Sequence, residues 1–149
     1  MANYVTLTTL IGVALAIVGC AAVSDSAAGG RAEPLQSSAV HELMASDLSG
    51  LPTRELRMLT VEYIAGGASL PHRHNAQVFV YVLNGSVRMQ VEGSPVVLLN
   101  PGQTFYEGPD DIHTVSANAS ATQPARILVF MVKEKGAAVS GAAVSEERP

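Results

Sequence analysis

The sequence predicts an all-β domain, and three observations carry that expectation. Helical periodicity is almost absent. Short runs rich in Val, Ile, Leu, Phe and Tyr recur along the middle of the chain, and Gly, Pro and Asn punctuate them at near-regular intervals. An antiparallel sandwich or small barrel accommodates all three.

The elements follow in order. His41 to Leu48 reads as a short helical turn or an extended lead-in. Arg57 to Ile64 (RMLTVEYI) alternates imperfectly and stops at Gly66-Gly67. Val78 to Leu83 (VFVYVL) is nearly continuous in apolar residues and runs into Asn84-Gly85, a favoured hairpin pair. Ser86 to Glu92 alternates cleanly, with Val87, Met89 and Val91 on one face and Arg88, Gln90 and Glu92 on the other. Gly93-Ser94-Pro95 turns into Val96 to Leu99, and Asn100-Pro101-Gly102 turns into Gln103 to Glu107. His113 to Ala117 and Arg126 to Lys133 complete the set. Phe79, Phe105, Phe130, Tyr81 and Tyr106 are expected to pack the interior.

Composition bounds what such a domain can be. The 149 residues suit one domain with a sizeable core. Nine basic residues against 13 acidic ones give a net charge of -4, and no basic cluster is visible, which argues against a nucleic-acid partner. A single cysteine excludes an intramolecular disulfide, a cysteine-rich zinc site and a CxxC redox pair. The mean hydropathy of +0.25 is not evenly spread. Leu7 to Val18 is an uncharged apolar run, short against the roughly 20 residues of a membrane-spanning helix but suited to the core of a signal peptide. It ends at Gly19-Cys20, which resembles the lipobox of bacterial lipoproteins, although no Lys or Arg precedes it. Residues 1–20 are therefore expected to direct export to the periplasm, with Cys20 a candidate lipid anchor to the membrane. Residues 21–39, rich in Ala, Ser and Gly, read as a flexible tether, residues 40–135 as the folded barrel, and residues 136–149, with GAAVS twice in succession, as a disordered tail.

His72-Arg73-His74 carries the chemistry. Residues two apart on a strand share a face, so His72 and His74 can turn their imidazoles to one point, while Arg73 points away as a solvated rim residue. Pro71 limits strand pairing beside them, as at a barrel mouth. His113 follows the turn Pro109-Asp110-Asp111 and opens another strand. Imidazoles suit Fe, Zn, Cu, Mn or Ni, and two donors from one strand with one from another can hold such an ion. His72, His74 and His113 are the expected ligands. The remaining histidine, His41, is expected at the surface.

At these residues the sequence resembles the cupin superfamily. Its first motif, G(X)5HXH(X)3,4E(X)6G, is matched by Gly66, His72, His74 and Gly85; its second, G(X)5PXG(X)2H(X)3N, is echoed with altered spacing by Gly102, Pro109, His113 and Asn118. The resemblance is to small, often exported, single-domain members and covers about Leu43 to Lys135. It implies a double-stranded β-helix (jelly-roll) barrel with a divalent metal (Fe2+, Mn2+, Zn2+ or Ni2+) inside its mouth, and commonly a homodimer. Asn118 is expected to close a turn. One departure stands out: the motif's glutamate falls at Val78 or Phe79, neither of which can ligate. Three-histidine cupins without that carboxylate include thiol dioxygenases, so iron and oxygen chemistry remains open. Gln77 is an additional candidate ligand if a bulge turns it inward. Glu107, on the strand before His113, is the candidate proton acceptor or carboxylate near the metal. The functional expectation is an exported metal-binding cupin holding a small organic ligand, and, if it is an enzyme, dioxygenase-like oxidation of that ligand as its reaction. The alternative is a non-catalytic module that captures a small molecule or stores metal.

Overall fold

The computed structural model describes residues 37–109 and 111–143. The expected export segment, the expected lipobox with Cys20, most of the expected tether and residues 144–149 lie outside the described residues. Among the described residues ten strands form two five-stranded antiparallel sheets. The strands are β1 (Ser38–Leu48), β2 (Leu51–Tyr63), β3 (His72–Arg73), β4 (Ala76–Asn84), β5 (Val87–Val91), β6 (Val97–Leu99), β7 (Thr104–Glu107), β8 (Ile112–Asn118), β9 (Ala125–Glu134) and β10 (Gly141–Ala142). One sheet has the order β1-β2-β9-β4-β7 and the other β10-β3-β8-β5-β6. No helix occurs among the described residues, and the two sheets face each other as a jelly roll.

The core follows from period-two alternation. Val78, Val80 and Val82 of β4, Ile127, Val129 and Met131 of β9, and Val87 and Met89 of β5 all point inward and are buried. The VFVYVL run thus has a covered face and an open one. Phe79, Tyr81 and Tyr106, expected inside, are instead 46%, 42% and 50% exposed on the outer face of the first sheet. Antiparallel register places Met44, Met58, Phe130, Phe79 and Tyr106 in one row across all five strands of that face. Phe105 has the opposite parity to Tyr106 and packs against the core.

Asn84-Gly85 marks a corner, not the expected hairpin. The β4 and β5 strands it joins belong to different sheets, so the chain crosses the sandwich there. Gly85 adopts φ +69°, and a Cβ on it would come within 2.7 Å of the Pro124 carbonyl oxygen and 2.8 Å of Ala125. Glycine is required on both counts. The Asn118 side chain closes the next corner, as expected: its amide donates to the carbonyls of Ile64 (2.9 Å) and Gln123 (2.7 Å), and its oxygen accepts from Ser120 N (2.9 Å).

His41–Leu48 takes the extended one of its two expected forms, as part of a long edge strand that begins at Ser38, and His41 is exposed there as expected. One stretch differs from the sequence reading. Gly136–Ser140, expected as part of a disordered tail, leads back over the histidine strand, where Gly141 and Ala142 pair with Arg73 and His72. The backbone groups of β3 need a partner on that edge, and this segment supplies it.

One buried ion pair sits in the interior away from the histidines. Lys133, 1% exposed and inward-facing on β9, donates to Glu55 Oε1 and to the Glu134 carbonyl, while Arg57 donates to the same Glu55 oxygen at 3.2 Å. The Lys133 hydrogen bond, with that of Arg57, holds the Glu55 carboxyl down at about 2. A carboxyl depressed in the folded state contributes stability above its unfolded value of 4.5 and loses it as the pH falls toward about 2. The thermal midpoint of the wild type should therefore fall between pH 4.5 and pH 2 more steeply than that of Glu55→Gln, checked by circular dichroism melts across that window.

Candidate functional site

The expected histidines meet at one end of the sandwich. His72 lies directly opposite His113 in the β3–β8 register, and His74 follows two residues on with the same parity. The ring centroids of His72 and His74 stand 4.8 Å apart, and those of His72 and His113 5.1 Å. Phe105 stacks on the far side of His113 at 5.9 Å. Glu107, the last residue of β7 in the opposite sheet, reaches the same point. Its Oε2 is 3.1 Å from His113 Nδ1 and 3.7 Å from His74 Nε2, and the residue is 2% exposed.

Backbone register explains how the carboxylate arrives. Glu107 is the cross-strand partner of Val78, the buried position where the first motif would carry its glutamate. The acid is thus supplied from the neighbouring strand, beside the place left apolar. The loop after it is tied by Asp111, whose Oδ2 accepts from Gly108 N at 2.7 Å while its own N–H donates to the Gly108 carbonyl at 3.2 Å. That closure brings Glu107 and His113, on strands of different sheets, to one spot. His72, His74 and Glu107 each offer a donor atom, all within 4.8 Å of one another.

Comparison with known proteins agrees with this geometry. A family profile described as "Cupin domain" matches residues 59–131. The chain belongs to the cupin superfamily. No curated protein matches it by sequence. Among solved structures it is similar to a recombinant oxalate oxidase in complex with glycolate (TM-score 0.53, 23% identity, 66% of this chain and 52% of that one). It is also similar to the DMSP lyase of Ruegeria pomeroyi (0.56, 21%, 75% and 54%) and to a cupin-2 domain of Rhodospirillum rubrum (0.54, 22%, 74% and 68%). The chain spans about half the length of the oxalate oxidase, and likeness at these identities establishes the fold.

The residues present in this cupin suit a divalent metal. His72 Nδ1 is 2.7 Å from the Leu70 carbonyl and His74 Nδ1 is 2.6 Å from the Val139 carbonyl. A carbonyl only accepts, so both Nδ1 atoms carry the proton and both Nε2 atoms are left as free donors to an ion. Burial pushes the His72 imidazole below its usual pKa, against the opposing pull of the Leu70 carbonyl, which favours the neutral, ligating form. Glu107 Oε2 and His113 Nε2 are buried without a hydrogen-bond partner. Each such atom costs roughly 1–3 kcal/mol unless something else meets it, and a cation or a ligand here would do so. Gln77 does not take part: it is exposed on the outer face of β4, because no bulge reverses its parity.

The cavity above these groups measures about 760 Å³. Val78 and Val80 contribute to its apolar wall, as expected, and Val139 and Ser140 of the returning chain close one side. The Val139 contact was invisible in the sequence, since Gly, Ala, Val and Ser in a repeat carry no strand alternation. Deleting residues 138–149 removes the carbonyl that orients His74. The expected result is a Zn2+ affinity weakened by about 10–100-fold in a chain that still melts cooperatively, checked by competition with a chromophoric chelator beside a thermal melt.

Proposed function

We propose that this cupin binds a divalent transition metal through His72, His74 and Glu107, with His113 as a further donor, and holds a small organic ligand in the cavity above it. The observation that carries the reading is the buried Glu107 carboxylate, partnerless at Oε2 and within ion-binding distance of two imidazoles whose Nε2 atoms are freed by backbone carbonyls. Such a donor set suits Fe2+, Mn2+, Zn2+ or Ni2+. A carboxylate also lowers the net charge of the occupied site, so an anionic ligand is no longer demanded as it would be by three neutral histidines alone.

The reaction we favour is oxygen-dependent oxidation of the bound ligand. The metal, when bound, supplies open positions at which ligand and oxygen can meet. The chain supplies the rest. Val78 and Val80 exclude water, and Glu107, its Oε2 unpartnered 3.1 Å from His113 Nδ1, can accept a proton from an acidic hydroxyl. An oxalate oxidase and a lyase both sit on this fold, so the argument rests on the site and not on the architecture. Protein purified without added metal should carry about one transition-metal ion per chain by elemental analysis, and His72→Ala and Glu107→Gln should each lower that content severalfold. Oxygen uptake by the iron-loaded protein is then measured over flavonols, thiols and diketones. Turnover with one class supports the oxidase reading; tight binding without uptake replaces it with a capture module.

Export to the periplasm and lipid attachment at Cys20 complete the proposal, supported by the Leu7 to Val18 run and the cysteine that closes it. A homodimer belongs to it too. The outer row of Met44, Phe79 and Tyr106, each more than 40% exposed, is continuous through Met58 and Phe130 and free of charge, so a second copy related by a two-fold axis would meet it with the same apolar side chains. Light scattering after gel filtration should give twice the chain mass for the folded domain, and Phe79→Glu should reduce it to the monomer value.

A further inference from the structure

The cavity has a second polar region, and it is built differently from the first. Tyr63, 2% exposed at the end of β2, places its hydroxyl 2.6 Å from Ser116 Oγ. Ser69 Oγ donates to the Tyr63 hydroxyl at 3.5 Å, and Ser38 Oγ lies 3.4 Å from Ser69 Oγ. All four side chains line the same cavity as His72, His74 and Glu107.

Proton counting shows that this group is short of an acceptor. Each hydroxyl has one hydrogen to donate. If Tyr63 donates to Ser116, the Ser116 hydrogen is left with Met89 Sδ at 3.6 Å, a weak acceptor. If Ser116 donates to Tyr63, the Tyr63 hydrogen is left with Ser69 Oγ at 3.5 Å, a long contact open to it only when Ser69 turns its own hydrogen to Ser38. One buried hydroxyl hydrogen therefore lacks a good partner in either arrangement, and a ligand oxygen would supply it.

The walls and charges narrow the ligand. Leu59, Val61, Ile127, Val129 and Met131 add apolar lining to the cavity, and no Lys or Arg is among the described residues that line it. Lys133, the buried cation further along β9, is held by Glu55. A compact dianion would find Glu107 beside it, no side-chain cation to pair with, and most of about 760 Å³ unfilled.

We propose that Tyr63 and Ser116, backed by Ser69, form a second ligand subsite that receives a neutral hydroxyl or carbonyl oxygen of a largely apolar molecule whose chelating end meets His72, His74 and Glu107. This rests on the metal reading above for the chelating end only. The ligand class is then a bifunctional, aromatic or similarly apolar compound, larger than a two-carbon acid.

The test is calorimetric titration of 3-hydroxyflavone, its singly hydroxylated derivatives and oxalate into the full chain, with and without Zn2+, so that no turnover intervenes. At least one hydroxylated derivative should bind about 10-fold more tightly than the parent, the worth of one hydrogen bond to a buried donor. That gain should vanish in Tyr63→Phe and shrink in Ser116→Ala, and both variants should bind Zn2+ as the wild type does. The proposal is overturned if no derivative exceeds the parent in either series, if the gain survives both substitutions, or if oxalate binds more tightly than every flavonol. Failure of the chain to bind Zn2+ sinks the metal reading instead, and the hydroxyl gain without Zn2+ still decides the subsite.

Discussion

A carboxylate buried among imidazoles dominates this structure. Glu107 is 2% exposed, one of its oxygens has no hydrogen-bond partner, and the nearest groups, His113 and His74, are charged only when protonated. Removing an ionised carboxylate from water is costly unless positive charge or donors meet it, so a fold that keeps one there is held to a narrow set of arrangements. The β4–β7 register aims Glu107 inward opposite Val78, the β3–β8 register sets His72 against His113, and Asp111 ties the loop between the two sheets. A one-residue slip in either ladder would turn these side chains outward and break the site together with the core.

The two charged regions of the interior show how differently one barrel can treat buried charge. Glu55 has Lys133 and Arg57 on one oxygen, and its carboxyl is held at about 2. That pair is complete within the chain and asks nothing of a ligand. Glu107 faces the cavity, with neighbours that could all turn toward a common cation. The contrast separates a carboxylate satisfied within the architecture from one left open to the cavity, although both are buried inward-facing glutamates in the same sheet.

How far the sequence could foresee this depended on whether the signal was local. Seven strands and the HxH pair were legible because a period of two, broken by Gly, Pro and Asn, is written in neighbouring residues. The corner at Asn84-Gly85 was misread as a hairpin because the same dipeptide serves any sharp reversal, and nothing local says which sheet the next strand joins. Phe79, Tyr81 and Tyr106 were expected inside because a nearly continuous apolar run does not reveal which of its faces is covered. The short β10 strand escaped notice because two residues carry no period. The proximity of Glu107 to the histidines could only be suspected, since its pairing with Val78 joins residues almost thirty positions apart.

That relocation changes what the departure from the cupin motif means. A valine in the glutamate position reads as the loss of a ligand when the motif is treated as a string. In space, β7 runs beside β4, and Glu107, the cross-strand partner of Val78, lies within reach of the two imidazoles. The exchange has a physical consequence: the histidines come from one sheet and the carboxylate from the other. An ion held by both would tie the sheets to each other across the cavity, so the free energy of binding it would also oppose their separation. With the glutamate carried on β7, which meets β8 through the Asp111 loop, the same tie reaches the chain segment that presents His113. The apolar residue left at Val78 then forms part of the dry wall beside the donors. With the acid one strand over, a carboxylate still faces the cavity and the position beside it is apolar.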